Sequence, residues 1–151
     1  MKSTETHAVT YELEVAIDAG VDEVWRALVE RTDAWWLPDF HMVAAGSNVR
    51  LDARAGGGLV ETDPEGGSLL WYTVQMVVPG RSLHLVGHLA ADYGGPATTM
   101  LKLALEERDG GTVLSVQDSL VGRVSEDTAA SLRAGWEQLF GEGLKAFVEG
   151  A

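Results

Sequence analysis

The sequence predicts an α+β domain: a curved antiparallel sheet of about six to seven strands folded around one long C-terminal helix. Three observations carry this. Apolar residues alternate with period two in one N-terminal stretch and again through most of positions 48–122. Turn signals punctuate that second region, among them Asp63-Pro64-Glu65-Gly66-Gly67, Pro79-Gly80 and Asp109-Gly110-Gly111. The apolar period then changes to 3.6 for the last part of the chain.

The elements follow in order. Val9, Tyr11, Leu13, Val15 and Ile17 alternate with Thr10, Glu12 and Glu14, which describes a half-buried strand. Asp18 is the candidate start of a helix, with Asp22 and Glu23 at the positive end of its dipole and Val21, Val24, Trp25 and Leu28 at helical spacing. Thr32–Phe40 reads as a second short helix, ended by Pro38. Strands then run from Asn48 to Arg54, Leu59 to Thr62, Ser68 to Val78, Arg81 to Leu89, Thr98 to Arg108 and Thr112 to Leu120. Ser125 caps the last helix, whose stripe is Leu132, Trp136, Leu139, Phe140, Gly143, Leu144 and Phe147. At 1.5 Å per residue that helix is roughly 35 Å long. Helices outside a run of hairpin-linked strands mean α+β and not α/β.

Composition bounds the function. A chain of 151 residues fits one domain, 1–151, and buries roughly 70% of its unfolded surface. It has no cysteine, which excludes disulfides, thiolate metal sites and a cysteine nucleophile and suits a reducing cytoplasm. Met1–Val9 lacks the apolar run of a signal peptide, and no apolar stretch reaches the ~20 residues of a membrane helix. A cytoplasmic protein without membrane insertion is expected. The net charge of −12 and scattered basic residues argue against nucleic-acid partners.

A long coiled sheet offers more concave surface than one helix covers, so a largely apolar cavity is expected between them. Gly135, Gly141 and Gly143 weaken the last helix, at about 1 kcal/mol each against alanine, and call for either close packing or room for a ligand. Alternation places Tyr72, Val74 and Met76 on the inner face, with Leu85, Leu101, Leu103 and Val116 on neighbouring strands. Trp136 and Phe140 face them from the helix, and Trp35, Trp36 and Phe40 close one mouth. These residues are ordinary core or the wall of a site for a hydrophobic or aromatic molecule.

Asp118 is in phase with Leu114 and Val116 and therefore points inward. There it orients a ligand or transfers a proton, or else reaches water at a strand end. Tyr72 and His41 are the other weak polar candidates for catalysis. His84 and His88 lie four apart on a strand, about 13 Å at 3.3 Å per residue, and cannot chelate one ion; no metal site is expected. Gly56-Gly57-Gly58 lacks the third glycine and following helix of a dinucleotide fingerprint, no Walker motif or G-x-S-x-G occurs, and no cofactor is expected. Trp71 alternates away from Tyr72, so it would lie on the convex face near Val77 and make a homodimer through the sheet conceivable.

Several of these segments together resemble a known superfamily. Val24-Trp25-Arg26-Ala27-Leu28 followed by Trp35-Trp36 is similar to the "VW.aL…WW" opening of the SRPBCC (START/Bet v 1-like) superfamily. Trp71 to Leu85 resembles its "lW..V..v.Pg..L.l" strand pair, Gly111-Thr112-Val113-Leu114 its "GT.L" hairpin, and Gly135-Trp136 with Leu139 its "GW..L" helix. The nearest branch is the Hsp90-ATPase-activator-homologue-like group; one departure is Ala19-Gly20, where the helix start usually reads Ala-Pro. The resemblance runs from about Tyr11 to Val148 and implies the helix-grip fold. It implies three kinds of function: binding of a small hydrophobic molecule or lipid, a polyketide cyclase-, aromatase- or hydrolase-like enzyme in the same pocket, or a co-chaperone-like interaction module. The activators carry a second domain for which this chain leaves no room, and a fold alone does not choose among these functions.

Overall fold

The structure is a computed structural model and describes residues 1–150. Strand β1 (His7–Ile17) follows the period-two pattern, with Leu13, Val15 and Ile17 buried and Glu12 and Glu14 in solvent. Helix α1 (Val21–Glu30) buries the stripe Val24, Ala27 and Leu28. Its cap residue is Gly20 and not Asp18, because a turn from Ala19 back to Ile17 comes first. The Asp18 backbone N–H instead donates to Glu149 at 2.8 Å. Helix α2 (Thr32–Trp35) is a single turn. Pro38 does not end it; it opens a separate 3₁₀ turn, Pro38–Phe40, at the first position, where a missing N–H costs nothing.

Six more strands follow: β2 (Asn48–Leu51), β3 (Gly58–Thr62), β4 (Ser68–Val78), β5 (Ser82–Leu89), β6 (Ala97–Arg108) and β7 (Gly111–Gly122). With β1 they form one antiparallel sheet in the order β1-β7-β6-β5-β4-β3-β2. The strands β2 to β7 are a meander, and β1 adds beside the last of them. The helices α1 and α2 therefore carry the chain from one edge of the sheet to the other.

Two β-bulges revise the inner face of β4. Leu59 opposes Tyr72 while Val60 opposes Leu70, which leaves Trp71 as the extra residue. Trp71 consequently packs against the core and not on the convex face, and the exposed tryptophan that would mark a sheet-to-sheet dimer is absent. Farther along, Val74 opposes Leu85 and Met76 opposes His84, which leaves Gln75 extra. The phase flips there. Met76, expected inside, is 50% exposed, and Val77 packs on the core in its place.

The C-terminal helix starts where Ser125 Oγ accepts the Thr128 N–H at 3.1 Å. It is α-helical in α3 (Glu126–Gln138), π-helical over Leu139–Lys145, and α-helical again in α4 (Ala146–Gly150). The wider π turns hold the buried stripe at a spacing of four: Trp136, Phe140, Leu144, Val148. Phe147, expected on that stripe, is only partly buried and carries the Arg31 guanidinium 5.5 Å over its ring. Among the described residues no helix is long and apolar enough to cross a membrane.

Only one of the three helix glycines is explained by close packing. A Cβ on Gly143 would lie 2.5 Å from the Trp35 carbonyl oxygen, so the helix and α2 touch backbone to backbone there. Gly141 faces open space, and Gly135 meets only the Phe40 ring at 3.7 Å. Gly143→Ala should lower stability in urea denaturation by about 1–3 kcal/mol through overpacking. Gly141→Ala should leave stability unchanged or raise it by up to about 1 kcal/mol.

Candidate functional site

The space between sheet and helix is closed by aromatic rings. Trp71 meets Trp36 edge-on at 5.3 Å, Trp36 meets Trp35 at 5.8 Å, and Trp35 meets Phe140 at 5.9 Å. Phe140 stacks on Trp136 at 5.4 Å, and Trp136 meets Tyr72 at 6.0 Å. The six rings form a run of five contacts whose two ends, Trp71 and Tyr72, are neighbours in sequence. They leave an apolar void of only about 20 Å³ between the sheet and the helix. The expected, largely apolar cavity is therefore mostly filled by the protein's own side chains.

The indoles differ in how they are held. Trp35 donates its N–H to the Ala27 carbonyl at 2.9 Å, and Trp36 donates to the Phe40 carbonyl at 3.1 Å. Both are tied to backbone and form fixed walls. The Trp136 N–H is directed instead at the Tyr11 hydroxyl.

Beyond Trp136 lies a buried polar cluster on β1, β6 and β7. Asp118 is 1% exposed. The register sets Tyr11 and Leu101 on either side of it. It accepts the Tyr11 hydroxyl at 2.6 Å and the Thr99 hydroxyl at 2.5 Å. Burial pushes its carboxyl above the ordinary 3.8, and the two hydroxyl bonds and the Ser119 backbone N–H hold back part of that rise. Burial and the bond to Asp118 raise the Tyr11 phenol. Burial and the Asp118 charge raise the Tyr72 phenol, whose hydroxyl lies beside Thr99. Gly87 on β5 makes room for this arrangement: a Cβ there would stand 2.8 Å from the Tyr72 ring.

A second buried carboxylate sits elsewhere. Glu61, with no exposed surface, accepts the Met42 N–H on both oxygens at 3.0 Å, the Val43 N–H at 2.7 Å and the Trp71 indole at 3.0 Å. Burial opposes its ionisation, but these N–H groups outweigh burial and hold it below the ordinary 4.5. It pins the loop after the 3₁₀ turn to β3 and β4. His41 Nδ1 stands 3.7 Å from it, and neither that atom nor the buried Ser47 hydroxyl has a hydrogen-bond partner.

The expected site residues thus divide. Trp35, Trp36, Leu85, Leu101, Leu103, Trp136 and Phe140 line the void. Val74 and Val116 are buried core beside it, and Phe40 packs partly buried against that core. Asp118 and Tyr72 stand together behind Trp136. His41 does not join them; it belongs to the Glu61 cluster. Tyr11, Thr99 and Glu61 join these clusters from outside the set the sequence predicts. Tyr11 and Thr99 share the inward phase of their strands, and Glu61 is in phase with the buried Leu59.

Residues 18–149 match the sequence pattern of the family described as Activator of Hsp90 ATPase homolog 1-like protein. The chain belongs to that family. The match and the fold together place it in the SRPBCC superfamily with a helix-grip architecture. An uncharacterised protein from Rhizobium leguminosarum is similar in structure, with TM-score 0.73, 19% identity, and 97% of this chain and 98% of that chain covered. Ara h 8.0201 has TM-score 0.71 at 13% identity over 96% of this chain and 100% of that one. DynU16, from the dynemicin biosynthetic locus, has TM-score 0.61 at 25% identity, covering 93% of this chain and 47% of that one. No curated protein matches the sequence.

The two buried acids should respond to pH with opposite sign. Glu61 has a lowered folded pKa, so its contribution is complete above about pH 4.5 and is lost as pH falls through the lowered value. Glu61→Gln should destabilise by about 2–4 kcal/mol at neutral pH, with the deficit shrinking in acid. Asp118 has a raised folded pKa, so stability is lost as pH rises from 3.8 through the folded value. Asp118→Asn should abolish that downward slope. Urea denaturation of both variants and wild type from about pH 3 to 8 checks each sign.

Proposed function

We propose that the protein binds a small aromatic or otherwise hydrophobic molecule between sheet and C-terminal helix, in a state where Trp136 has swung off the Asp118 cluster. The observation that carries this is the pairing of an apolar, aromatic-walled void with a buried, incompletely used polar cluster, separated by one indole that no backbone group holds. An apolar cavity of about 150 Å³ is needed to hold benzene. The void is far smaller, so binding requires displacement of a ring. Trp136 is the ring whose surroundings permit it. It adjoins Gly135, stacks on Phe140, and precedes a π-helical stretch whose Gly141 is unpacked. Such stretches are strained relative to α-helix and concentrate at functional sites.

A catalytic version of the same site has one observation in its favour. Asp118 is a carboxyl held above its usual range inside an apolar interior, which is the condition for a general acid or base. The similarity to DynU16, a protein of a biosynthetic locus, is consistent with a catalytic role. In that version Tyr72 orients the substrate and Asp118 moves the proton. Turnover that survives in both Asp118→Asn and Tyr72→Phe would exclude it.

Binding is tested by thermal shift and intrinsic fluorescence against fatty acids, sterols, flavonoids and aromatic polyketides, with native mass spectrometry of the purified protein. Four of the five tryptophans belong to the aromatic run, so occupancy should change the emission. A ligand at 100 times its Kd should add about 2.7 kcal/mol and raise Tm by several degrees. Trp136→Phe should bind several-fold more tightly, because the displaced ring is smaller and has no N–H to lose. No shift with any class, and a bare chain mass, would overturn the proposal.

A further inference from the structure

We infer that the molecule this site accepts is a planar aromatic carrying an O–H or N–H donor, and not a carboxylic acid; the inference rests on the ligand-binding function proposed above. It follows from counting protons in the buried cluster. Asp118 brings no proton when ionised, and each of its oxygens has two acceptor positions. Tyr11 fills a position on one oxygen and Thr99 a position on the other, and the Ser119 backbone N–H fills a third. Those bonds consume the only protons the two hydroxyls have. The Tyr72 hydroxyl lies beside Thr99. What remains for an incoming molecule is chiefly lone pairs, on the Asp118 carboxylate and on the phenolic oxygens of Tyr11 and Tyr72. The cluster therefore offers more acceptor positions than donors.

The charge balance gives the same answer. Among the described residues every buried polar side chain is a hydroxyl or a carboxyl, and no lysine, arginine or histidine is among them. A ligand carboxylate would be set beside an unpaired Asp118 charge, in a low-dielectric interior with no cation to offset either. The whole chain, at −12, adds to the repulsion.

The protein supplies its own example of the preferred group. The Trp136 side chain is a flat aromatic ring, stacked on Phe140 with an interplanar angle of 15°, whose single N–H is turned toward the Tyr11–Asp118 pair. A molecule that displaces the indole leaves that position empty unless it brings both the ring and the donor. A site built to receive a donor rejects an analogue that lacks it far more strongly than an apolar pocket rejects a missing methylene.

The test uses the intact protein and three matched probes: 2-naphthol, 2-methoxynaphthalene and 2-naphthoate, titrated by calorimetry and tryptophan fluorescence at neutral pH. The expected order is 2-naphthol first, 2-methoxynaphthalene at least 10-fold weaker, and 2-naphthoate at least 100-fold weaker. In Asp118→Asn the amide supplies a donor and removes the charge, so the naphthol-to-naphthoate ratio should fall at least 10-fold. Trp136→Phe, which keeps the fold's ring and frees the donor position, should retain the wild-type order with all affinities raised. Naphthoate or methoxynaphthalene binding as tightly as naphthol to wild type would overturn the donor rule while leaving ligand binding intact. Absence of binding by all three, in wild type and in Trp136→Phe, would remove the ligand-binding function and the inference with it.

Discussion

A seven-stranded sheet that curls around one helix has more concave surface than the helix can touch, and six aromatic rings make up the difference. Most other features serve those rings. Gly143 lets the helix settle onto the Trp35 carbonyl, which brings Phe140 against Trp35. The bulge at Trp71 turns a sixth ring inward, and Glu61 fixes it by its N–H while holding the loop below Trp36. Gly87 clears the space under Tyr72. Loss of any of these would break the run at one link and open the interior at that point.

The two buried carboxylates show how surroundings assign roles to the same chemical group. Glu61 meets backbone and indole N–H groups, remains ionised and acts as a fastening. Asp118 meets two hydroxyls and a backbone N–H in an apolar interior, and burial raises its pKa. The first is satisfied; the second retains unused acceptor positions. Only the second therefore has acceptor positions left for the ligand proposed above.

Much of the fold was legible because it rests on periodicity. The ends of β4, the Asp109-Gly110 turn, the Ser125 cap and the inward phase of Asp118 all follow from local pattern. The errors lie where one extra residue enters an element. A bulge at Gln75 sent Met76 outward, another at Trp71 turned that ring inward, and the π stretch moved burial from Phe147 to Val148. An inserted residue leaves composition and hydrophobicity unchanged, so no periodic signal announces it. The partners of Asp118 were hidden for another reason. Tyr11 and Asp118 meet only through the register of β1 on β7, which is a property of the whole sheet. Cavity volume is likewise decided by rotamers and not by residue types.

That same pairing governs how the chain must be made. The strand at the N-terminus finds its neighbour in the last strand, and Tyr11 and Asp118 are 107 positions apart. During synthesis β2 to β6 can zip in order as they emerge, but β1 must wait until β7 has left the ribosome. Long-range closure of this kind slows folding. Until it happens, the exposed rim of the nascent meander is a template for any other extended chain. The Glu12 and Glu14 side chains on the waiting strand then have a use independent of any ligand: they keep an unpaired β1 from docking on the wrong molecule.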